Sequence, residues 1–268
     1  MLGALGPGNE SVPRRTPALK EQRVSFYDDI AADYDRIVGG AKRAAAAEGF
    51  VAWLAGSRPL RRALEVACGT GLYARALGRR DIEVVAADVS EAMLQQAKAQ
   101  TTPADGRIEW LAEPMQTIAQ HVAGPFDAVL CMGNSLPHLL SDADLRAALE
   151  AFRAVLAESG VVVIHLLNYA RVLARRERIV GVTREGDREY VRFYDFLPER
   201  VQFNILELHW EGGACRHELH QTTLRPYTAG QLKVALARAG FAAVELYNGP
   251  AVGPFSETES DQLLLVAR

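Results

Sequence analysis

Short apolar runs alternate with segments of helical periodicity from about residue 62 onward. The first five runs are RALEVA, IEVVAAD, RIEWLA, FDAVLCM and VVVIHLL, and helix-like segments LYARALGRR and SEAMLQQAKAQ follow the first two. Parallel strands need crossover connections of this length, so the alternation predicts a mostly parallel sheet with helices on both faces. The predicted fold class is therefore α/β, with a doubly wound, Rossmann-like core.

The alternation is interrupted between about residues 178 and 223. Three β-rich runs lie there, EYVRFYDF, RVQFNILELHW and ACRHELHQTTL, and Pro-Glu and Gly-Gly pairs separate them. Such runs joined by turn residues predict antiparallel strands. Helix TAGQLKVALARAG and strands FAAVELY and LLLVA then complete the pattern. We therefore expect a mostly parallel, seven-stranded sheet with an inserted antiparallel β cap.

The N-terminal part follows different patterns. Residues 1–19 are rich in glycine and proline and carry few large apolar groups, which predicts a flexible tail. Apolar residues at three- and four-residue spacing predict a helix from about Leu19 to Val38, ended by a Gly-Gly pair, and a second helix over about 41–55. A later amphipathic helix, DADLRAALEAFRAVLAESG, is expected to end at Gly160.

Composition excludes several classes of protein. The formal net charge of -3 lacks the basic excess of a general nucleic-acid binder. Cys68, Cys131 and Cys215 lie far apart without metal-ligand spacing, so we expect neither a disulfide framework nor a zinc site. No apolar run is long enough to span a membrane, and glycine and proline interrupt the first residues where a signal peptide is apolar. We therefore expect a cytoplasmic protein.

The segment Glu65 to Gly71, EVACGTG, carries the strongest chemical signal. Glycines at a strand-to-helix turn let a ligand approach the backbone and allow positive φ. Asp88 ends the next predicted strand, where a carboxylate can accept both hydroxyl protons of a ribose. The alternative is that the glycines only form a tight turn and Asp88 caps a helix. Because loop, strand and acid occur in the required order, the pattern favours an adenosine-containing ligand.

Two functional hypotheses can be stated from these residues before any resemblance is considered. Gly69, Gly71 and Ala74 satisfy the G-x-G-x-x-G/A dinucleotide fingerprint, which allows an NAD-dependent oxidoreductase. Against that hypothesis, Glu65 stands where such a strand normally holds an apolar residue, and no hydride-handling acid is evident. The other hypothesis is a non-catalytic domain that only binds its ligand.

The whole segment resembles the class I S-adenosylmethionine-dependent methyltransferases. Their first motif is an acidic residue, three further residues and then Gly-x-Gly, which Glu65 to Gly71 match here. Their second strand ends in an acidic residue, here Asp88, and their fourth strand follows a Phe-Asp pair, here Phe126-Asp127. The resemblance extends over about residues 22–268. Within that family, residues 131–139 and Asn168-Tyr169 look most similar to glycine and sarcosine N-methyltransferases, followed by other small-molecule and amino-sugar N-methyltransferases.

The resemblance implies S-adenosyl-L-methionine as the cofactor and assigns residues to each part of it. Gly69 and Gly71 would lie under the methionine part, and Glu65 and Ala67 beside its amino group. Asp88 would hold the ribose. Val89 and Met93 would flank the adenine. Many relatives have an acid before the residue that corresponds to Met115; Pro114 takes the place of that acid here, and Glu113 is the candidate that replaces it. The remaining contacts implied are Met132, Gly133 and Tyr34 at the sulfonium and Arg43 at the carboxylate.

For the methyl acceptor, the resemblance implies Asn134 and Tyr227 as substrate contacts. His138 is a candidate base or hydrogen-bonding group, and satisfaction of nearby backbone is its alternative role. Arg192 and Arg225 are candidates for an acceptor carboxylate, and surface salt bridges are their alternative. Five aromatic residues either line an acceptor pocket or pack a core: Tyr27, Phe193, Tyr194, Phe196 and Trp210. Three histidines of the predicted cap are expected to lie at its surface or pack within it rather than bind a metal: His209, His217 and His220.

The expected enzyme is a methyltransferase acting on a small molecule. A sulfonium methyl is already activated, so transfer requires mainly alignment and exclusion of water. The sequence offers no unambiguous strong base, which favours an amine acceptor over a hydroxyl.

We expect neither a membrane nor nucleic acid as partner, and the sequence leaves homo-oligomer formation open. The expected organisation is N-terminal helices and a cofactor-binding core at 20–177, a substrate cap at 178–225 and the end of the core at 226–268.

Overall fold

The computed structural model describes residues 19–268, with side chains from Ser25 onward except that of Ala41. The tail expected at residues 1–19 lies outside the described residues, apart from Leu19, which begins the first helix. The helices are α1 Leu19–Ile30, α2 Tyr34–Val38, α3 Gly40–Ser57, α4 Leu72–Gly78, α5 Glu91–Gln100, α6 Asp142–Val155, α7 Tyr169–Arg175 and α8 Ala229–Arg238. The strands are β1 Arg62–Val66, β2 Glu83–Ala87, β3 Ile108–Leu111, β4 Phe126–Cys131, β5 Leu156–Leu167, β6 Ile179–Glu185, β7 Arg188–Leu197, β8 Arg200–Glu211, β9 Ala214–Leu224, β10 Val244–Asn248, β11 Gly253–Pro254 and β12 Gln262–Ala267.

The main sheet is mostly parallel, as its sequence pattern predicts. Its order among the described residues is β11-β10-β12-β5-β4-β1-β2-β3. Five neighbouring strands, β3, β2, β1, β4 and β5, pair in parallel. Strands β12, β10 and β11 then continue the sheet beyond β5, each antiparallel to its neighbour. The expectation of seven strands is therefore one short, because the two-residue β11 pairs with β10 at the sheet edge. A two-residue pair containing proline leaves no alternating pattern for sequence analysis to detect.

A second, antiparallel sheet has the order β6-β7-β8-β9. It contains the three runs predicted as antiparallel strands and one more, β6, which precedes them. The prediction of an antiparallel insertion between β5 and β10 is confirmed at the level of topology.

Alternation along the central strands builds the core on both faces of the main sheet. On β1, Ala63 points to the side where α3 and α4 pack, and Leu64 points to the side covered by α6 and α8. Both side chains are fully buried. Strands buried on both faces are typical of a parallel sheet covered by crossover helices. This packing fixes the carboxyl ends of β1, β2 and β4 side by side.

Two predicted helix boundaries are wrong. The segment from Leu19 to Val38 is not one helix, because a turn at residues 31–33 separates α1 from α2. At this turn, the Asp33 carboxylate accepts hydrogen bonds from Arg36 and from Arg188 of β7, contacts that periodicity does not reveal. The helix α6 ends at Val155 rather than at Gly160, since residues 156–160 already belong to β5.

Within the described residues, no helix combines the length and apolar character needed to cross a membrane.

We expect Phe152→Ala to lower the free energy of unfolding by about 3 to 5 kcal/mol, since the ring is fully buried between α6 and the sheet and its removal leaves a cavity. The measurement is chemical denaturation monitored by circular dichroism. Glu150→Ala, on the exposed face of the same helix, is the control and should change stability by less than about 0.5 kcal/mol. Similar losses in both variants would contradict this account of the core.

Candidate functional site

A cleft lies where the parallel strands β1 to β4 end, the usual ligand position in an open α/β sheet. We call it the strand-end cleft. The loops that follow these strands supply its floor, and Tyr27 of α1 and Tyr34 of α2 cover it. It is lined by Tyr27, Tyr34, Arg43, Glu65, Ala67, Cys68, Gly69, Thr70, Leu72, Tyr73, Asp88, Val89, Met93, Glu113, Met115, Met132, Gly133, Ser135 and His138.

The loop after β1 turns sharply through left-handed backbone. Ala67, Gly69 and Gly71 have φ of 50°, 54° and 76°. Nothing lies within 4 Å of the position that a Cβ would take on Gly69, so this residue leaves open space beside the cleft. A Cβ on Gly71 would lie only 2.4 Å from the Trp110 ring. Gly71 therefore serves close packing against β3 and the start of α4, and the structure does not bring it to the cleft.

Asp88 joins two of the loops. Its Oδ2 accepts a hydrogen bond from the Gly69 N–H at 2.8 Å, and its Oδ1 accepts one from the Ser90 N–H at 2.9 Å. Ser90 is the residue that caps α5, because its hydroxyl accepts from the Met93 N–H at 3.1 Å. The side chain of Asp88 is buried against the loops, yet it still lines the cleft. Since a carboxylate has about four acceptor positions, Asp88 can both hold the loops and contact a ligand.

Glu65 is a buried carboxyl group on β1, with only 2% of its surface exposed. Among the described residues, its Oε2 has no hydrogen-bond partner. Burial raises the pKa of Glu65 to about 8, against the opposing effects of a backbone hydrogen bond with Ala74 and of the nearby Arg75. An acid with an unused oxygen at the wall of a cleft suits a ligand that brings a hydrogen-bond donor or a positive charge.

One end of the cleft is apolar. Met93 and Met115 are almost fully buried and line it together with Val89. Glu113 lies at its edge, where its carboxylate is 3.1 Å from Nδ1 of His121. The arrangement is a slot between apolar side chains with one acid at its rim, which suits a flat heteroaromatic ring.

The opposite end carries positive charge. The Arg43 guanidinium lies 5.6 Å from the centre of the Tyr34 ring, in cation–π geometry. It also approaches Gly133, since a Cβ on this residue would be 3.3 Å from Nη2 of Arg43. Met132 and Ser135 complete this end, and the Ser135 hydroxyl donates to the Met132 carbonyl at 2.8 Å.

A second, larger cavity of about 340 Å³ adjoins the strand-end cleft. We call it the inner cavity. It lies between the N-terminal helices, the second sheet and the ends of β4 and β5, and Tyr27, Tyr34 and Arg43 line both spaces. The polar and aromatic groups lining the inner cavity are Tyr27, Tyr34, Arg43, Tyr73, Asn134, His138, His165, Arg192, Tyr194 and Gln262.

Asn134 lies on the wall of the inner cavity, with a left-handed φ of 68° that asparagine tolerates better than most residues. Its Nδ2 donates to the Tyr169 hydroxyl at 3.0 Å, and its Oδ1 accepts from the Leu167 N–H at 3.1 Å. The amide therefore has a defined orientation. His138, which lines both spaces, is 2.8 Å from the Tyr27 hydroxyl through its Nε2.

Several candidate residues lie away from the site. Tyr227 is buried in the core, where its hydroxyl donates to the Leu139 carbonyl, so it is not an acceptor contact in this structure. Arg225 forms a salt bridge of 2.7 Å with Asp142. The remaining candidates outside the cavities are Phe193, Phe196, the partly exposed Trp210, His209 paired with Asp187, and His217 and His220 of β9.

Sequence reasoning missed His165 and Ser135. His165 lies near the end of β5, where its Nδ1 accepts from the Gly133 N–H at 3.3 Å and its Nε2 is 3.2 Å from Oε1 of Gln262. Burial lowers the pKa of His165 to about 4, so its ring is neutral at pH 7. A single histidine in an otherwise apolar strand was the available signal. For Ser135, no pattern separates its role from that of any loop serine.

We expect Gly71→Ala to destabilise the protein by about 2 kcal/mol or more, because alanine disfavours the left-handed backbone and its Cβ would overlap the Trp110 ring. Gly69→Ala is the matched comparison. It carries the backbone cost of about 1 kcal/mol without the overlap. Thermal unfolding of both variants measures the difference, and equal losses would mean that Trp110 does not set the requirement at Gly71.

Comparisons with known proteins agree with this geometry. Residues 63–160 match the family model of the methyltransferase domain. A glycine/sarcosine N-methyltransferase of Parasynechococcus marenigrum is 32% identical over 168 residues, covering 63% of this chain and 58% of that protein. The glycine N-methyltransferase of Homo sapiens is 30% identical over 167 residues, covering 56% of each. The matches thus span little more than half the length of these relatives.

Two solved structures share the fold over nearly the whole chain. An S-adenosylmethionine-dependent methyltransferase from Clostridium acetobutylicum superposes with a TM-score of 0.77 at 16% identity, covering 90% of this chain and 98% of that one. The CcbJ methyltransferase from Streptomyces caelestis gives 0.76 at 22% identity, covering 91% and 98%. Residues 63–160 are therefore similar to the methyltransferase domain, and the chain has the fold of these two methyltransferases.

Proposed function

We propose that this protein is an S-adenosylmethionine-dependent methyltransferase that methylates an amine nitrogen of a small molecule. The observation that carries the proposal is that two spaces share a wall. The strand-end cleft presents two buried carboxyl groups, Glu65 and Asp88, and the larger inner cavity adjoins it at Tyr34 and Arg43, which line both spaces. The named relatives, which are glycine and sarcosine N-methyltransferases, support an amine acceptor.

The residues of the cleft fit the cofactor part by part. Asp88 would accept hydrogen bonds from the ribose hydroxyls, and Glu65, with Ala67, would face the amino group, where its Oε2 has no protein partner among the described residues. Arg43 would face the carboxylate. The remaining contacts would be Val89, Met93, Glu113 and Met115 around the adenine, Gly69 under the methionine part, and Tyr34, Met132 and Gly133 near the sulfonium.

When bound, the cofactor supplies an activated methyl group, so the protein must align an acceptor and keep water out. Tyr27 and Tyr34, which line the cleft from α1 and α2, would help to keep water out. Asn134, with its amide held by Tyr169 and by the Leu167 backbone, would orient the acceptor. His138 would position Tyr27 through their 2.8 Å hydrogen bond.

The described residues offer the inner cavity two histidines as possible bases, because no aspartate or glutamate among them lines it. His165 is neutral, with Nδ1 already accepting from the Gly133 N–H, and Nε2 of His138 is held by the Tyr27 hydroxyl. A hydroxyl acceptor needs a base to remove its proton, whereas an amine can react in its neutral form. This difference supports an amine acceptor.

The second sheet, β6 to β9, would act as the acceptor cap, and α1 with α2 as a cover over the cofactor. Ser90 donates to Asp28 of α1, and Thr70 donates to Asp35 of α2 at 2.8 Å. These hydrogen bonds link the cover to the loops of the cleft. Exchange of ligands would require the cover to open, which makes its motion a candidate limit on turnover.

The proposal is tested by comparing ligands by calorimetry and then assaying methyl transfer to glycine, sarcosine and larger amines. We expect S-adenosylhomocysteine to bind and NAD not to bind. Asp88→Ala should weaken S-adenosylhomocysteine binding by about 1 to 3 kcal/mol, since polar groups lose their partners. Preferential binding of NAD would support an oxidoreductase instead. Cofactor binding without a methylated product from any amine would support a non-catalytic domain.

The raised pKa of Glu65 predicts a pH-dependent affinity. At pH 7 a group with a pKa of about 8 is mostly protonated, and a bound ammonium group would favour its ionised form. Binding of S-adenosylhomocysteine should therefore release a proton from Glu65 and tighten as pH rises from about 6 to 8. Calorimetry in buffers of different ionisation enthalpy measures this release, and Glu65→Gln should remove it. The same proton release in both proteins would exclude Glu65 as its source.

A further inference from the structure

Arg192 of β7 differs from two other arginines of the second sheet, since Arg188 pairs with Glu207 and Arg216 pairs with Glu211. Two more arginines of this sheet form no salt bridge within the described residues, but Arg184 is exposed and Arg200 donates to the carbonyls of Glu199 and Leu140. For Arg192, too, no carboxylate of the described side chains forms a salt bridge. Its Nε is buried and has no hydrogen-bond partner within the described part of the chain. A guanidinium in this position needs an anion or several acceptors to offset its desolvation.

The backbone around Arg192 leaves room for the guanidinium. Gly181 of the neighbouring strand β6 pairs with Arg192, and a Cβ on Gly181 would be 2.7 Å from Nη2 of Arg192. Arg192 lines the inner cavity, and burial lowers the pKa of its side chain while the nearby Tyr194 and Tyr34 raise it. The guanidinium is thus held at the cavity wall without a protein anion to neutralise it.

The charge of the whole inner cavity favours an anionic ligand. Arg43 and Arg192 both line it, and no acidic side chain among the described residues does. If the cofactor binds as proposed, its carboxylate would face Arg43, whereas its sulfonium and ammonium groups would add positive charge. Arg192 would remain for the acceptor. A carboxylate matches the planar, forked donors of a guanidinium, and such pairs form strong bidentate hydrogen bonds.

The size and lining of the inner cavity exclude a very small ligand as its best occupant. At about 30 Å³ per water, its 340 Å³ corresponds to on the order of ten water-sized groups. Much of the wall of the inner cavity is apolar. The apolar side chains of this wall include Leu167, Val180, Phe203, Ile205 and Leu224. Glycine would leave most of this apolar surface without contact.

From these observations we infer that the acceptor is an amine with a bulky apolar group and a carboxylate, and that Arg192 binds this carboxylate. The inference rests on the proposed function and narrows its substrate class. It also separates this chain from relatives named for glycine and sarcosine.

The test measures binding by calorimetry, with and without saturating S-adenosylhomocysteine, using L-phenylalanine, L-phenylalaninamide and glycine as probes. We expect L-phenylalanine to bind at least tenfold more tightly than either other probe. Arg192→Gln should weaken L-phenylalanine binding about tenfold or more, the range for a lost charge-assisted hydrogen bond, and leave L-phenylalaninamide and S-adenosylhomocysteine binding within about twofold. Arg225→Gln, which removes an arginine paired with Asp142, is the control and should change none of these affinities.

Two further variants keep the test decisive if Arg192→Gln does not fold. Arg192→Lys keeps the charge without the fork and should retain part of the preference for the carboxylate. Gly181→Ala should weaken L-phenylalanine binding severalfold by displacing the guanidinium. Equal binding of the acid and the amide, tighter binding of glycine, or equal losses for both large probes in Arg192→Gln would overturn the inference. Carboxylate-selective binding without any affinity for S-adenosylhomocysteine would uphold Arg192 and contradict the proposed function.

Discussion

The carboxylate of Asp88 holds together the ends of β1 and β2, and the shape of the strand-end cleft depends on this interaction. The loop after β1 enters left-handed backbone at Ala67, which costs about 1 kcal/mol or more for a residue with a side chain. The hydrogen bond from Gly69 to Asp88 helps to offset that cost. Because the second oxygen binds the Ser90 N–H, the start of α5 takes its position from the same side chain. Backbone strain and helix position are thus coupled at one buried acid.

The N-terminal helices connect the two sheets. Phe26 and Ile37 pack in one apolar cluster with Met93 of α5 on one side and with Tyr190 and Ile205 of the second sheet on the other. Partly exposed ion pairs contribute little to stability, so burial of this cluster dominates the attachment. Thr70 and Ser90 donate hydrogen bonds to the cover, and Arg188 donates one to Asp33 at the turn between its two helices, so that these bonds fix its register on both neighbours. A displacement of α1 and α2 would therefore open the strand-end cleft and the inner cavity together.

The sequence was sufficient for features that local patterns encode. The parallel sheet, the antiparallel insertion and the convergence of Glu65 and Asp88 on one cleft follow from periodicity and from turn residues. Long-range packing escaped prediction. Gly71 satisfied a ligand-binding motif, yet Trp110 is what occupies the space beside it. Tyr227 matched a family position, yet its hydroxyl is bound to a backbone carbonyl in the core.

The two halves of the site are therefore constrained differently. Backbone geometry and two acids at strand ends define the strand-end cleft, and residues 63–160, which match the methyltransferase family model, include all of these groups. The wall of the inner cavity comes largely from outside that range, including Arg192 and Tyr194 on β7 and Phe203 on β8. Similarity within the matched range therefore bears on how the proposed cofactor would be bound and leaves the acceptor undetermined. Under the proposed function, the side chains of β7 and β8 that face the inner cavity would decide between acceptors, because charge and volume at that wall can vary without disturbing the strand ends.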